Sequence, residues 1–300
     1  MAGPPPFTKT SGLAIASLVL GLLGLFTCGL TAIPGLICGI LAVVYISRSG
    51  GRLTGQGLAI GGLVVSAVFL LVLPISAAIM RPALARAREA ARRASCQNNL
   101  KQMGIVCKMF ANESKGEVFP ELAAEAGRLM FVSTPVYPEF LSDSHVLLCP
   151  SDPMAPDPRF AEDPVSAVDD QSYFYLGYVI VNDDELAAFA EVYKDRVAQG
   201  LKFDEDLPAP PGRGSMGGNV FYRVREGVER IDGAELTQAE IPVMWDRFSF
   251  GPYAASFNHV PGGSNVLFMD GHIEFVRYPG RWPLTRAAGE ILTELDELRP

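Results

Sequence analysis

The sequence has 300 residues, 49% of them hydrophobic, and a formal net charge of −8. This length suggests two domains. The charge is uneven, because residues 109–300 hold 15 basic and 32 acidic residues, a net charge of −17. A domain this acidic repels phosphate, which excludes non-specific binding to nucleic acid.

The N-terminal part is apolar and has no acidic residue before Glu89. Residues 1–11 are Pro-rich and polar, and they are predicted to be disordered. The apolar run 12–46 is too long for one helix across a hydrocarbon core of roughly 30 Å, so it forms either two short spans or one bent, partly re-entrant span. The run 57–80 is long enough to cross a bilayer. We therefore predict a transmembrane domain at 12–80.

Three segments of this part carry a family resemblance: Ala14–Leu25, the break at Thr27–Gly29 and the Gly-rich stretch Ser49–Gly62. Together they resemble a small bacterial membrane domain of unknown function. The resemblance covers residues 12–79. It implies residence in a membrane and no particular chemistry.

The helix predicted for the last span continues beyond it, with kinks near Pro74 and Pro82. Residues 81–108 hold seven Lys or Arg against a single acid, Glu89. These charges suit anionic lipid headgroups, or they form a solvated helix face. Apolar residues then recur at spacings of four and three, which predicts one helix face packed on a core. The members of this stripe are Cys96, Leu100, Met103, Cys107 and Phe110.

Regular elements are also predicted along the acidic part. Apolar and aromatic runs predict strands at 127–133, 146–149, 173–180, 219–225 and 241–246. Asn182–Glu185 opens a helix as a capping box, and that helix ends at Gly200. Loops are predicted at 150–171 and 202–218, and a last helix at 285–298.

The clearest local signal is Asp270-Gly271 between two apolar runs. It predicts a hairpin with a two-residue turn in which both turn positions have φ > 0. The resulting register pairs Met269 with His272, Phe268 with Ile273, and Val266 with Phe275. The last two pairs then share the face that packs on the core.

The chain has three histidines, and one of them, His259, lies shortly before the hairpin. To bind a metal, His259 would need further ligands converging from Asp246, Asp270 or Glu274, and nothing in the spacing requires that. We therefore predict no catalytic, cofactor-binding or metal-binding residues. We expect His259 to hydrogen-bond the hairpin or a loop.

Segments scattered over residues 81–278 carry a second resemblance: Arg88–Met103, Met109–Gly116, Cys149–Asp152, Tyr222–Arg230, Ile241–Asp246 and Phe257–Val276. Together they resemble bacterial type IV pilin-like proteins related to the type II secretion pseudopilins. Many such proteins end in a His, nine residues and then Asp-Gly. Here ten residues separate His259 from the pair Asp270-Gly271.

The resemblance implies an α+β fold, in which N-terminal transmembrane helices precede a pilin-like domain at 81–300 with a long helix packed on an antiparallel β-sheet. It implies a structural or assembly role in the cell envelope and no catalysis. The expected partners are the lipid bilayer and other pilin-like or secretion-system subunits, with no nucleic acid. The expected location is the inner membrane, with the soluble domain outside the cytoplasm. Pseudopilin relatives bind calcium near the C-terminus, so the resemblance leaves calcium as a possible cofactor without assigning its ligands to residues of this chain.

A rival interpretation is an extracytoplasmic metal-dependent binding module or hydrolase centred on His259, Asp270 and His272. A cleft with converging carboxylates would favour it, whereas a buried His259 without an open pocket would favour a structural protein. Two further features bear on processing and on the side of the membrane, and pilin-like stalks are often basic and still exported. The leader Gly-Phe-Thr-Leu-Ile-Glu is missing, so we expect no cleavage by prepilin peptidase. Five Arg follow the last span within 13 residues, which by the positive-inside rule alone favours a cytoplasmic domain.

The five cysteines divide between the two parts of the chain. Cys28 and Cys38 are predicted to be ordinary small membrane residues. Cys96 and Cys107 cannot pair, because eleven helical residues separate their Cα atoms by roughly 16 Å. Cys149, on a predicted strand, can reach either one. The family-like Ser-Cys-Gln-Asn-Asn segment favours Cys96–Cys149, with Cys107–Cys149 and three reduced thiols as alternatives.

Overall fold

The computed structural model describes residues 9–27, 29–152, 172–228, 236–250, 255–259 and 262–299. The chain divides into two compact units, Met1–Ala87 and Arg88–Pro300. Residues 153–171 of the predicted loop at 150–171, and most of the predicted disordered N-terminus, lie outside the described residues.

The first unit contains two short apolar helices, α1 (Gly12–Leu23) and α2 (Ala32–Arg48), so the break predicted between them is confirmed. Strand β1 (Lys9–Thr10) pairs in parallel with β2 (Leu53–Thr54). The prediction of disorder is therefore wrong at Lys9 and Thr10, where backbone pairing with β2 holds the chain.

Small residues allow the helices of this unit to pack closely. The hydroxyl of Ser17 on α1 donates to the carbonyl of Gly35 on α2 at 2.9 Å. A Cβ atom on Gly39 would lie 2.8 Å from Oγ of Ser17. Larger side chains would therefore separate α1 from α2.

Helix α3 runs through 58 residues, Gln56–Glu113, and contains both Pro74 and Pro82. It is the one helix in the described part of the chain that is long and apolar enough to cross a membrane. Its apolar side chains before residue 81 are widely exposed, for example Leu71 at 63% and Ile79 at 69%. Helices α1 and α2, with 12 and 17 residues, are shorter than the roughly 20 that a straight span needs.

The second unit is built around the C-terminal half of α3 and an antiparallel sheet. The predicted stripe on α3 is confirmed as a core face, because Cys96, Leu100, Met103 and Cys107 are fully buried. Four strands form the sheet in the order β10-β9-β6-β3. Their bounds are β3 Tyr173–Tyr175, β6 Pro242–Asp246, β9 Gly263–Phe268 and β10 Ile273–Arg277.

Helix α3 passes directly over strand β9. A Cβ atom on Gly104 would lie 3.1 Å from Cδ1 of Leu267. The absence of a side chain at Gly104 therefore sets how closely the helix approaches the sheet. This close contact aligns the buried face of α3 with the β9 side chains that point toward it.

Two helices and two small ribbons complete the second unit. Helix α4 (Asp183–Ala198) packs against α5 (Arg286–Asp296), and Lys194 pairs with Glu294 between them at 2.5 Å. The ribbons are β4 (Leu207–Pro208) with β5 (Val220–Phe221), and β7 (Phe248–Phe250) with β8 (Ala255–Phe257).

The predicted helix ends are confirmed. The side chain of Asn182 accepts a hydrogen bond from the backbone N–H of Glu185 at 2.9 Å and caps α4. The Glu185 carboxylate accepts from the N–H of Val181 at 2.8 Å, one residue before the predicted donor. Gly200 follows α4 with φ +68°, and Thr285 caps α5.

Two predicted strands are wrong. Residues 144–147 form a 3-10 helix capped by Asp143. Residues 127–133 fold back on their own neighbours, because the N–H of Ala123 donates to Met130 and the N–H of Val132 donates to Glu121. Their apolar side chains are buried as in a strand. Most of their backbone bonds are local, but the carbonyl of Leu129 accepts from the N–H of Tyr175 in β3 at 2.8 Å. The strands predicted at 173–180 and 219–225 are shorter, and they span Tyr173–Tyr175 and Val220–Phe221. Gly177 has φ +69°, so the extended backbone is interrupted two residues after β3.

The predicted hairpin exists, but its register is shifted by one residue. The structure pairs Ile273 with Leu267 and Phe275 with Asn265. The loop has three residues, 269–271, and Gly271 alone in it has positive φ, at +89°. Val266 and Phe275 therefore lie on opposite faces, contrary to the prediction.

The register determines whether Glu274 would be buried. Strand β9 is buried on both faces, so a β10 side chain paired with it on the face toward α3 is covered as well. The predicted two-residue turn would pair Leu267 with Glu274 on the face that meets α3. The observed register instead leaves Glu274 exposed and places Phe275 on that face. Burying an unpaired carboxylate is costly, so the three-residue loop is favoured.

Candidate functional site

Cys96 and Cys149 form a disulfide at the buried face of α3, with their Cα atoms 5.3 Å apart. Cys149 follows the 3-10 helix and does not lie on a strand, contrary to the prediction. The side chain of Asn99, three residues after Cys96, donates to the carbonyl of Leu148 at 2.8 Å. This hydrogen bond holds the Cys149 segment against the helix.

Cys107 lies on the same helix face as Cys96 but is a free thiol. Complete burial raises its pKa to about 12. A thiol with so high a pKa is chemically inert at neutral pH. Because Cys149 is bonded to Cys96, the competing pair Cys107–Cys149 is not formed.

His259 lies directly beside the disulfide and is 1% exposed. Its Nε2 atom is 3.6 Å from Sγ of Cys149 and 3.1 Å from Oδ2 of Asp246. Its Nδ1 atom is 3.1 Å from Oε1 of Glu89 on α3. The imidazole thus lies between two carboxylates and a sulfur, all within the second unit.

The Asp246 side chain at the end of β6 is fully buried. Its Oδ2 atom accepts hydrogen bonds from the backbone N–H of Asn265 at 2.6 Å and from Nδ2 of Asn265 at 2.7 Å. Its Oδ1 atom is buried and has no hydrogen-bond partner in the described part of the chain. One carboxylate oxygen of Asp246 is therefore satisfied by Asn265, whereas the other is buried and unsatisfied.

The two carboxylates control the charge of His259. Burial acts to lower the pKa of His259, but the hydrogen bonds and charges of Asp246 and Glu89 outweigh it and raise the pKa above its ordinary value of 6.5. The imidazolium form suits this position, because it can donate from both ring nitrogens to carboxylates. In the disulfide-bonded chain the site thus consists of the Cys96–Cys149 bond beside the buried imidazolium of His259 and its two carboxylates.

Four groups converge here: Cys96, Cys149, Asp246 and His259. One candidate ligand atom from each lies within 4.8 Å of the others, and all four residues are buried. The sequence had singled out Asp246 as one of three carboxylates that might converge on His259, and it is the one that does. Asn265 was missed, although it is the lone amide in the apolar run of β9.

The hairpin residues form a separate cluster. Oδ1 of Asp270 accepts from the backbone N–H of His272 at 2.9 Å and lies 2.6 Å from Nδ1 of the same residue. The ammonium of Lys101 donates to the carbonyl of Gly271 at 2.6 Å. Among the described contacts of His259, none is to Asp270 or His272. The structure does not assemble the rival three-residue centre.

Three surface grooves are described, and His259 lines none of them. The largest, of about 460 Å³, lies at the N-terminus of α4 beside Glu185 and Arg213. In the described part of the chain, the carboxylates of Glu89 and Asp246 converge on a His259 side chain that is 1% exposed.

Two family models match parts of the chain. Residues 13–76 match a domain of unknown function, DUF4190. Residues 85–128 match the protein family of unknown function DUF1559, which is associated with pilin-like proteins and whose matched segment includes Glu89 and Cys96. No curated protein and no solved structure matches the chain.

Proposed function

We propose that this chain is a membrane-anchored, pilin-like protein of the bacterial cell envelope, with a structural or assembly role and no catalytic activity. The observation that carries the proposal is the two-part construction of α3. Its first half is apolar and exposed, as a lipid-facing helix is, and its second half buries a stripe under an antiparallel sheet. The DUF1559 match covers the start of that second half.

The anchor extends over more than one span in this proposal. Helices α1 and α2 are apolar, and the residues between Gly12 and Arg48 include no acid or base except Arg48 itself. The DUF4190 match includes both helices and the start of α3. The lipid bilayer is thus the first partner, and other pilin-like or secretion-system subunits are the second.

The soluble unit lies outside the cytoplasm in this proposal. The Cys96–Cys149 disulfide supports that side, because disulfides persist in oxidising compartments. The five Arg between Arg81 and Arg93 argue for the cytoplasmic side by the positive-inside rule. A buried disulfide and the pilin-like resemblance together outweigh that charge bias.

The anchor and its orientation are tested together in cells. The chain should remain with membranes after carbonate extraction. A cysteine introduced as Thr134→Cys, at an exposed position of the second unit, should react with a membrane-impermeant maleimide in spheroplasts. The matched control is Arg52→Cys in the connection before α3, which should react only after the membrane is permeabilised. Release by carbonate, or the reverse labelling pattern, would contradict the proposal.

The assembly role needs its own test. A photo-crosslinking residue at exposed Ile105 or Met109 on α3 should capture other envelope subunits of the pilin-like class, identified by mass spectrometry. The same crosslinker at exposed Glu139, which is not part of α3, serves as the control. A chain that crosslinks to nothing from either position would argue against assembly.

A further inference from the structure

We propose that Cys96, Cys149, Asp246 and His259 form a buried zinc site once the disulfide between the two cysteines is reduced. The oxidised chain holds these groups as a disulfide and an ion pair, and the reduced chain holds them as four ligands of one cation. This inference does not depend on the proposed envelope role, because it concerns groups within the second unit alone.

The distances already approach those of a tetrahedral zinc centre. Zn–S bonds of about 2.3 Å and Zn–N or Zn–O bonds of about 2.1 Å place S···N pairs about 3.6 Å apart and N···O pairs about 3.4 Å apart. Sγ of Cys149 is 3.6 Å from Nε2 of His259, and that Nε2 is 3.1 Å from Oδ2 of Asp246. The four ligand atoms lie within 4.8 Å of one another. The sulfurs must also separate to about 3.8 Å, which cleavage of their bond permits.

The surrounding residues orient the imidazole as a metal ligand requires. Ligating histidines usually donate their other ring N–H to a carboxylate, which fixes the tautomer. Nδ1 of His259 lies 3.1 Å from the Glu89 carboxylate, so a proton on Nδ1 directs the lone pair of Nε2 toward the cluster. Asn265 similarly holds Oδ2 of Asp246 through two hydrogen bonds.

A buried oxygen without a partner points independently to a ligand. Oδ1 of Asp246 belongs to a fully buried side chain and has no hydrogen-bond partner among the residues that the structure describes. An unsatisfied buried carboxylate oxygen is costly. A cation bound between the sulfurs and His259 would also neutralise this carboxylate.

The donor set selects the class of metal. Two thiolates with one imidazole and one carboxylate suit a borderline-soft cation such as Zn²⁺, whereas Ca²⁺ and Mg²⁺ require mostly oxygen ligands. With all four positions supplied by buried side chains, no site remains for water, as in a structural zinc centre.

The conversion balances with a dithiol as the reductant. The dithiol is oxidised to its own disulfide, and two electrons and two protons convert the Cys96–Cys149 bond into two thiols. Binding of Zn²⁺ then releases both thiol protons and the proton on Nε2 of His259 to solvent. Oxidation by a disulfide-forming catalyst would reverse the sequence and expel the metal.

The test compares the two redox forms of the full chain in detergent. One sample is left oxidised and the other is reduced with a phosphine and desalted without oxygen, and each then receives Zn²⁺ or Co²⁺. We expect about one metal per reduced chain and less than about a tenth of that in the oxidised chain, with sulfur-to-Co²⁺ charge-transfer absorption in the reduced sample alone. Asp246→Asn and His259→Gln should each weaken Zn²⁺ binding at least tenfold, by the magnitude that single ligand-sphere changes reach.

The controls are Cys107→Ser, a buried thiol outside the cluster, and His272→Gln, a histidine paired with a different aspartate; both should bind Zn²⁺ like the parent chain. Equal metal content in the two redox forms, or none in the reduced form, would overturn the proposal. A reduced chain that unfolds and that Zn²⁺ does not restore, as measured by near-ultraviolet circular dichroism, would overturn it as well. The redox comparison uses the unaltered chain, so it stands even when a variant fails to fold.

Discussion

Nδ1 of His259 lies 3.1 Å from Oε1 of Glu89, although 170 positions separate the two residues in the chain. The segment 81–108 contains seven basic residues and a single acidic residue, Glu89. Its carboxylate joins the part of α3 that belongs to the second unit to His259, which follows β8. A residue that is conspicuous in the sequence by its charge thus has a specific partner in the fold.

Replacement of Glu89 by Gln should lower the thermal midpoint of the disulfide-bonded chain, by about 2–4 °C at pH 6. The pKa of His259 is raised in the folded chain, so its contribution to the free energy of unfolding is complete below the unfolded pKa of 6.5. The contribution is lost as the pH rises through the raised folded-state pKa. The midpoint difference between the parent and Glu89→Gln should therefore shrink above that range.

Glu113→Gln is the control for this experiment, because Glu113 is an exposed acid on the same helix. Scanning calorimetry in detergent from about pH 6 to 9 measures both variants. A midpoint difference for Glu89→Gln that is the same at every pH would show that the carboxylate does not act through His259.

Gly271→Val should destabilise the chain by about 1–2 kcal/mol, because a β-branched residue resists positive φ. Gly271 is at φ +89°, and a Cβ atom there would meet nothing closer than Nζ of Lys101 at 3.6 Å. The cost is thus conformational and not steric. Gly271→Asn should cost less, since Asn tolerates the left-handed region. Equal midpoints for Val and Asn variants in thermal unfolding would refute this reason.

Phe189→Ala on α4 should cost about 3–5 kcal/mol, the range for removal of a fully buried aromatic side chain. Its ring centroid lies 5.2 Å from that of Tyr178 and 5.4 Å from that of Phe221. Phe189→Leu keeps most of the volume and should cost about half as much or less. Urea unfolding monitored by near-ultraviolet circular dichroism compares the two, and similar losses would mean that the ring packing contributes little.

Cys107 should resist alkylation in the folded chain. With its pKa raised to about 12, its thiolate fraction at pH 8 is roughly a thousandfold below that of a thiol with pKa 9. Peptide mapping should find Cys107 modified by iodoacetamide only after denaturation, and Cys96 and Cys149 only after reduction as well. Rapid native labelling of Cys107, or free native thiols at Cys96 and Cys149, would contradict the structure.

The sequence predicted the elements whose signals are periodic or local. The stripe from Cys96 to Cys107 recurs at helical spacing over several turns, and Asn182 caps a helix through its own neighbours. The segments 127–133 and 146–149 carried no such information. A short buried segment is apolar whether or not it is a strand. What distinguishes a strand from a folded-back segment is the set of backbone hydrogen-bond partners, and a short run of sequence does not specify them.

The candidate site could be predicted only in part for the same reason. Resemblance favoured Cys96–Cys149, and Asp246 was one of three carboxylates considered for His259. Glu89 and Asn265 reach the imidazole through the packing of α3 and β9, which no spacing in the chain encodes. A single amide within an apolar strand is the signal that would have indicated Asn265.

The hairpin register has a consequence for the buried site. Phe275 shares a strand face with Asn265, and its ring lies 4.2 Å from the guanidinium of Arg93 and 6.4 Å from the imidazole of His259. A two-residue turn at Asp270-Gly271 would slide β10 by one position and replace Phe275 on that face by its neighbours. The sequence of this tip is compatible with either turn, although the fold adopts the three-residue loop, and the environment of the buried imidazole would differ between the two. Asp270→Asn, which creates the strongest two-residue turn pair, would shift the balance between these alternative pairings from a surface position that contacts none of the site residues.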